Sequence, residues 1–267
     1  MLENELKLRN PARYIAPTVV YNAKNRTNMR YILGNPLGMT IDQVIELGNI
    51  EHFSKLTCSI IPTIDYWKNL SNKILTDIIA DDYNICFEYP VKSIKNATSS
   101  YTDIMLISDK TNIAIESKWT EKIGDYCKNQ KSKRKNEVQQ HWINIISKYI
   151  DKALIIEQFS DIEYQLLHRV ASACSLNRDN CIVTYQIFYK DLLSDSFIKE
   201  IVKLISILDS KKIRFYVDSV KLDFTDTYLI LSDEIKDLSK KKRIDKIKDT
   251  IKQNDLFIFS DESLCQL

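Results

Sequence analysis

Residues 101–118, YTDIMLISDKTNIAIESK, alternate in the two-residue period of a strand, and a polar Asp109–Lys110 pair interrupts the run. The pattern predicts two strands joined by a tight turn. Upstream, Trp67, Leu70, Ile74 and Ile78 recur at three-to-four spacing, predicting an amphipathic helix over 64–80 after a break at Ile61–Pro62. A short strand over 84–89, NICFEY, is expected to stop at Pro90. Downstream, Val138, Trp142, Ile145, Ile146 and Tyr149 form a helical stripe, and a second helix is expected from Asp161 to Leu176. The β-branched and aromatic run CIVTYQIFY, 181–189, reads as a strand. Beyond it the pattern predicts a helix over 197–210, strands over 213–224 and 227–233, and a helix from Lys240. Its apolar face holds Leu238, Ile244, Ile247 and Ile251. Near the start, Thr40 with Gln43 offers a capping box for a short helix.

Turn geometry sets the register of the hairpin. A two-residue turn at Asp109–Lys110 puts residue 103 opposite residue 116, so Asp103 and Glu116 share a face at roughly 5 Å. Alternation brings Lys118 to the same face and turns Ile104, Leu106, Ile113 and Ile115 to the other. Two adjacent carboxylates are costly to bury, and Lys118 alone is one charge against two. A divalent cation would balance them.

Asp103 followed thirteen residues later by Glu116-Ser117-Lys118, inside a hairpin, resembles the PD-(D/E)xK nuclease superfamily, the fold of many restriction endonucleases. Thr102 stands where the pattern names Pro. The resemblance spans 64–190 and implies an α/β fold: an αβββαβ restriction-endonuclease-like core with a mixed central sheet flanked by helices. It makes Asp103 and Glu116 ligands of Mg²⁺, with Mn²⁺ able to substitute, adds the Ser117 carbonyl, and gives Lys118 the attacking water and the phosphate. The implied activity is metal-dependent hydrolysis of DNA, double-stranded by expectation, by a restriction or defence-type enzyme leaving 5′-phosphate and 3′-hydroxyl ends.

Other residues are candidates to join this site. Gln165, His168, Arg169 and Ser172 line one stripe of the 161–176 helix, and Gln165 is preferred as a phosphate contact because related nucleases use Gln from this helix. Glu88 is a further acid if its side chain faces the same way. The basic run KNQKSKRK, 128–135, places Lys131, Lys133, Arg134 and Lys135 where they could meet DNA phosphates; a solvated loop is the plainer reading. The basic helix from Lys240 reads as solvent-exposed.

Composition adds limits. A net charge of +2 gives no argument for nucleic acid by itself. Six cysteines without a CxxC pair and three histidines offer no zinc framework, and no glycine-rich phosphate loop appears. No apolar run reaches membrane-spanning length and the first ten residues lack a signal-peptide core, so the expectation is a cytoplasmic protein without a membrane partner. The expected organisation is an N-terminal extension over 1–62, the nuclease core over 63–190, and a helix/strand addition over 191–267 packed on it. Cutting both strands of a duplex makes a homodimer reasonable. The alternative is a nuclease-like fold that binds nucleic acid or a partner without cutting. On the sequence alone neither acid is expected to hold the core, so replacing Asp103 or Glu116 should spare the fold.

Overall fold

The computed structural model describes residues 41–47, 53–68, 72–78, 84–94, 100–120, 124–130, 132–193 and 195–267. It also describes three short strands: β1 (Arg13–Ile15), β2 (Thr18–Val19) and β3 (Met29–Arg30). The loop around Gly34–Gly38, the Thr40 capping box, Leu70 and Lys131 lie outside the described residues.

The architecture is α/β, with a mixed seven-stranded sheet between two helical layers. Helices α1 (Ile41–Leu47) and α2 (Ile60–Trp67) lead into β4 (Asn84–Val91) and the hairpin β5 (Ser100–Ile107) and β6 (Thr111–Lys118). Helices α3 (Lys133–Ile146) and α4 (Tyr164–Cys174) then cross to β7 (Asn180–Tyr189). Helix α5 (Asp195–Leu208) crosses to β8 (Ile213–Phe224), followed by α6 (Asp226–Glu234), α7 (Lys240–Gln253) and β9 (Phe257–Gln266). The sheet order is β1-β4-β5-β6-β7-β8-β9. The β6–β7 and β7–β8 pairs are parallel, as their helical crossovers require. Segments on both sides of 63–190 therefore contribute strands to this one sheet.

Strand alternation divides the core in two. Ile104, Leu106, Ile113 and Ile115 pack under α1, α2, α6 and α7, while Met105, Ile107, Ala114, Val183 and Tyr185 pack under α3, α4 and α5. Asp65, fully enclosed on α2, accepts the backbone N–H groups of Leu256 (2.8 Å) and Phe257 (2.9 Å) and pairs with Lys68 at 2.6 Å. It thereby pins the start of β9 onto α2. Asp65→Ala leaves those donors buried without an acceptor and is expected to cost about 2–3 kcal/mol, read as a lower urea midpoint at unchanged slope. In the same layer Trp67 Nε1 donates to Gln186 Oε1 (3.0 Å), and Gln186 Nε2 donates to Asp218 Oδ2 (2.7 Å), all three side chains being buried.

Several elements depart from the sequence expectation. Pro62 sits in the first turn of α2, where its missing N–H costs nothing, so the helix starts at Ile60 and not after a break. β4 continues through Pro90, which pairs with Tyr101; β1 covers only Asn84–Cys86, so among the described residues the proline has no ladder partner on its other side. The run 227–233 is helical, because Thr225 caps it by accepting the Tyr228 N–H at 3.2 Å and only Tyr228 and Leu231, one turn apart, are buried. Lys133, Arg134 and Lys135 form the first turn of α3 rather than a loop, capped by Ser132. The edge strand β9 was not expected at all.

Candidate active site

The hairpin turns at Asp109–Lys110, and its register pairs Ile104 with Ile115, Met105 with Ala114 and Leu106 with Ile113. Continuing it sets Asp103 opposite Glu116. The ladder ends at Ile104–Ile115, and beyond it the Ser117 N–H donates to Asp103 Oδ2 at 2.7 Å. The aspartate is thus fixed against the backbone of the triplet that follows it across the hairpin. Asp103, Glu116 and Lys118 all point towards α4, with Lys118 Nζ 2.8 Å from Glu116 Oε1.

From α4, Gln165 Oε1 accepts a hydrogen bond from Lys118 Nζ at 2.7 Å. One helical turn further, Arg169 is in ion-pair contact with Glu116 through Nη2 and Oε2, and the same nitrogen lies 3.7 Å from Asp103 Oδ1. Arg169 Nη1 also donates to the Tyr101 carbonyl at 3.1 Å. Side-chain exposure is 3% for Arg169, 4% for Glu116 and 25% for Asp103, so Asp103 is the acid that faces outward. Burial pulls the Arg169 guanidinium below its usual value and the charges of Asp103 and Glu88 act against that pull; arginine remains charged.

Glu88 stands beside Asp103 on β4. The register runs from Phe87–Ile104 directly to Tyr89–Thr102, and Glu88 between them has φ 50°, a strained left-handed conformation for a side-chain-bearing residue. The kink changes the phase of the strand: Phe87 packs under α2, whereas both Cys86 and Tyr89 pack under the α3–α4 layer. Glu88 is buried, and its charge acts on Arg169 and raises the Tyr101 phenol, whose shift comes first from burial.

The chain leaving β6 folds back onto the start of α4. Gly124 N–H donates to Glu163 Oε1 at 2.8 Å, and a Cβ at Gly124 would stand 2.6 Å from that oxygen. Glu163 is fully buried; burial raises its carboxyl, while the Gly124 N–H and the Lys118 charge lower it. Tyr185, paired with Glu116 across the parallel ladder, is raised by burial. Among the described residues, buried polar atoms without a hydrogen-bond partner include Glu163 Oε2, Arg169 Nε and Tyr185 OH, all around this site.

The sequence-derived set thus divides. Asp103, Glu116, Ser117, Lys118 and Gln165 come together, and Glu88 joins them. Lys133, Arg134 and Lys135 are exposed, and among the described residues no hydrogen bond or ion pair links them to the carboxylates. Sequence reasoning missed the roles of Arg169 and Glu163. The signal for Arg169 was its four-residue spacing from Gln165; nothing in the sequence distinguished Glu163 from an ordinary helix-start acid. Arg169 also corrects the charge argument, since Asp103 and Glu116 now face two cations instead of one.

A family model spans this whole constellation, matching residues 36–230. The chain belongs to DUF6946. That family is described as a domain of unknown function, and its match runs from ahead of α1 into α6, taking in β4 to β8 and every site residue above. No curated protein and no solved structure matches the chain.

The carboxylates and the Ser117 carbonyl are hard oxygen donors of the kind Mg²⁺ takes, and Asp103 is the more exposed of the two acids. In donor chemistry the residues fit such an ion. Among the described residues no group of three or more His, Cys, Asp or Glu side chains is arranged to hold a metal. An ion held here would take two carboxylates and a carbonyl from the protein and its remaining positions from water or substrate.

Proposed function

We propose that this protein is a metal-dependent phosphodiesterase acting on DNA, with a restriction-endonuclease-like core formed by α2, β4, β5, β6, the α3–α4 crossover and β7. The observation that carries the reading is the convergence of Asp103, Glu116 and Lys118 on one face of a hairpin, with Gln165 closing over the lysine. The element order αβββαβ, and β7 parallel to β6, support the same reading. Duplex DNA as substrate, and a restriction or defence role, follow from the resemblance alone.

In this scheme the Ser117 N–H orients Asp103 through Oδ2, and Oδ1, loosely paired with Arg169 Nη2 at 3.7 Å, is the oxygen offered to a ligand. Glu116 and Gln165 hold the Lys118 ammonium from two sides, so it meets substrate already oriented and donates to the attacking water or a non-bridging phosphate oxygen. A divalent ion bound to the carboxylates would supply a water of lowered pKa and offset negative charge building on the phosphorus.

One feature favours a second reading. Glu116 is already neutralised by Lys118 and Arg169, which suits a nuclease-like fold that binds nucleic acid or a partner without cutting. Supercoiled plasmid, single-stranded DNA and RNA incubated with Mg²⁺ or Mn²⁺ separate the two. Cleavage that EDTA abolishes and Asp103→Asn lowers by at least about a hundredfold is expected. No cleavage of any substrate by protein that binds the same nucleic acid supports the second reading.

A further inference from the structure

The buried charges around Glu116 lead one step further, on the phosphodiesterase reading just given. We infer that Arg169 is a resident counter-ion that occupies Glu116 in place of a divalent cation, so that guanidinium and metal compete for the same carboxylate.

Position is the first argument. Arg169 Nη2 touches Glu116 Oε2 and lies 3.7 Å from Asp103 Oδ1, which is where a cation shared by these two acids would bind. Its side chain is 3% exposed, and the Tyr101 carbonyl anchors its other terminal nitrogen at 3.1 Å. Arg169 is therefore a built part of the site and not a surface residue that drifted in.

Charge is the second. In direct ion-pair contact, Asp103 and Glu116 are already balanced by Arg169 and Lys118. A divalent cation leaves that group with an excess of positive charge, which burial penalises. Two changes relieve the excess: Arg169 withdraws from Glu116, and the anionic phosphodiester enters. Arg169 Nε has no partner among the described residues, so the guanidinium retains a donor for a phosphate oxygen. Arg169 thus makes cation binding weak in the free protein and prepares the partner that the substrate's charge needs. It acts as a positioning residue for Glu116 until that exchange.

The test measures Mn²⁺ binding to the full chain by electron paramagnetic resonance, comparing wild type, Arg169→Met and Glu116→Gln. Arg169→Met is expected to bind Mn²⁺ about tenfold more tightly than wild type, and Glu116→Gln to lose binding. If Arg169→Met binds no more tightly while Glu116→Gln loses the ion, the competition is refuted and the phosphodiesterase reading stands. Should no form bind Mn²⁺, both fall. Because the methionine variant could fail to fold, the arginine side chains of ¹⁵N-labelled wild type are followed as well, with Arg169→Lys providing the assignment. The Arg169 Nε–H resonance is expected to shift as Mg²⁺ saturates the site; a resonance unmoved at saturation overturns the inference.

Discussion

Glu116→Ala is expected to lower the unfolding free energy by about 3–5 kcal/mol, because it strands the Arg169 guanidinium in the core. The two side chains are 4% and 3% exposed, and water cannot replace the lost carboxylate. Asp103→Ala acts differently. Asp103 is a quarter exposed and its removal unpairs chiefly the Ser117 N–H, for about 1–2 kcal/mol. Urea denaturation of the two variants distinguishes them, and equal losses would show that the Arg169–Glu116 pair does not hold the structure. The loss expected of Glu116→Ala runs against the expectation that both acids could be replaced without touching the fold, and it makes Asp103→Asn the cleaner activity control.

Asp218→Asn should change the pH dependence of stability more than any surface substitution. Burial pushes the Asp218 carboxyl from 3.8 up to about 7, with Glu262 adding to the rise and Gln186 and Lys73 opposing it. Folded protein therefore keeps this proton where unfolded chain has released it. Its stabilising contribution is complete below pH 4 and disappears as pH rises towards 7, a span on the order of 4 kcal/mol. His168 works in the opposite sense. Packed between Trp142 and Tyr164, it is lowered by burial to about 3, so stability falls as pH drops below 6.5. Between pH 4 and 6.5 the two slopes cancel in the wild type. Asparagine at 218 retains an acceptor for Gln186 but no titrating group. The variant is expected to gain on wild type steadily from pH 4 to 7 and to expose the acid sensitivity of His168. Denaturation midpoints at pH 4.5, 6 and 8 measure this; a pH-independent difference between the proteins would mean that Asp218 titrates normally.

The hairpin was legible because a two-residue turn and strict alternation leave one register, and that register carried Asp103, Glu116 and Lys118 to a common face. Gln165 was legible through resemblance. Arg169 was not, since a polar stripe on an amphipathic helix ordinarily meets water, whereas here both faces of α4 are covered and Leu166 to Cys174 are all buried. Glu88 depended on a left-handed residue that no alternation rule foresees. The TYLILSD run was misread because β-branched and aromatic residues favour strands locally, and the Thr225 cap with its burial beside β8 overrides that preference. β9 escaped because its polar, exposed positions give an edge strand little periodic signal.

The two core layers also differ in how far apart along the chain their parts lie. The layer over the site draws its buried residues from between Cys86 and Val217, so its contacts close loops no longer than that span. The opposite layer joins Val44 and Ile45 to Ile244, Ile247, Ile251 and Phe257, and Lys248 reaches the Glu46 carbonyl across 202 residues. Closing that contact costs the entropy of a very long loop, which the nearer contacts of the site layer avoid. During synthesis the face that carries the candidate site can therefore assemble while the layer that backs the sheet still waits for α7 and β9.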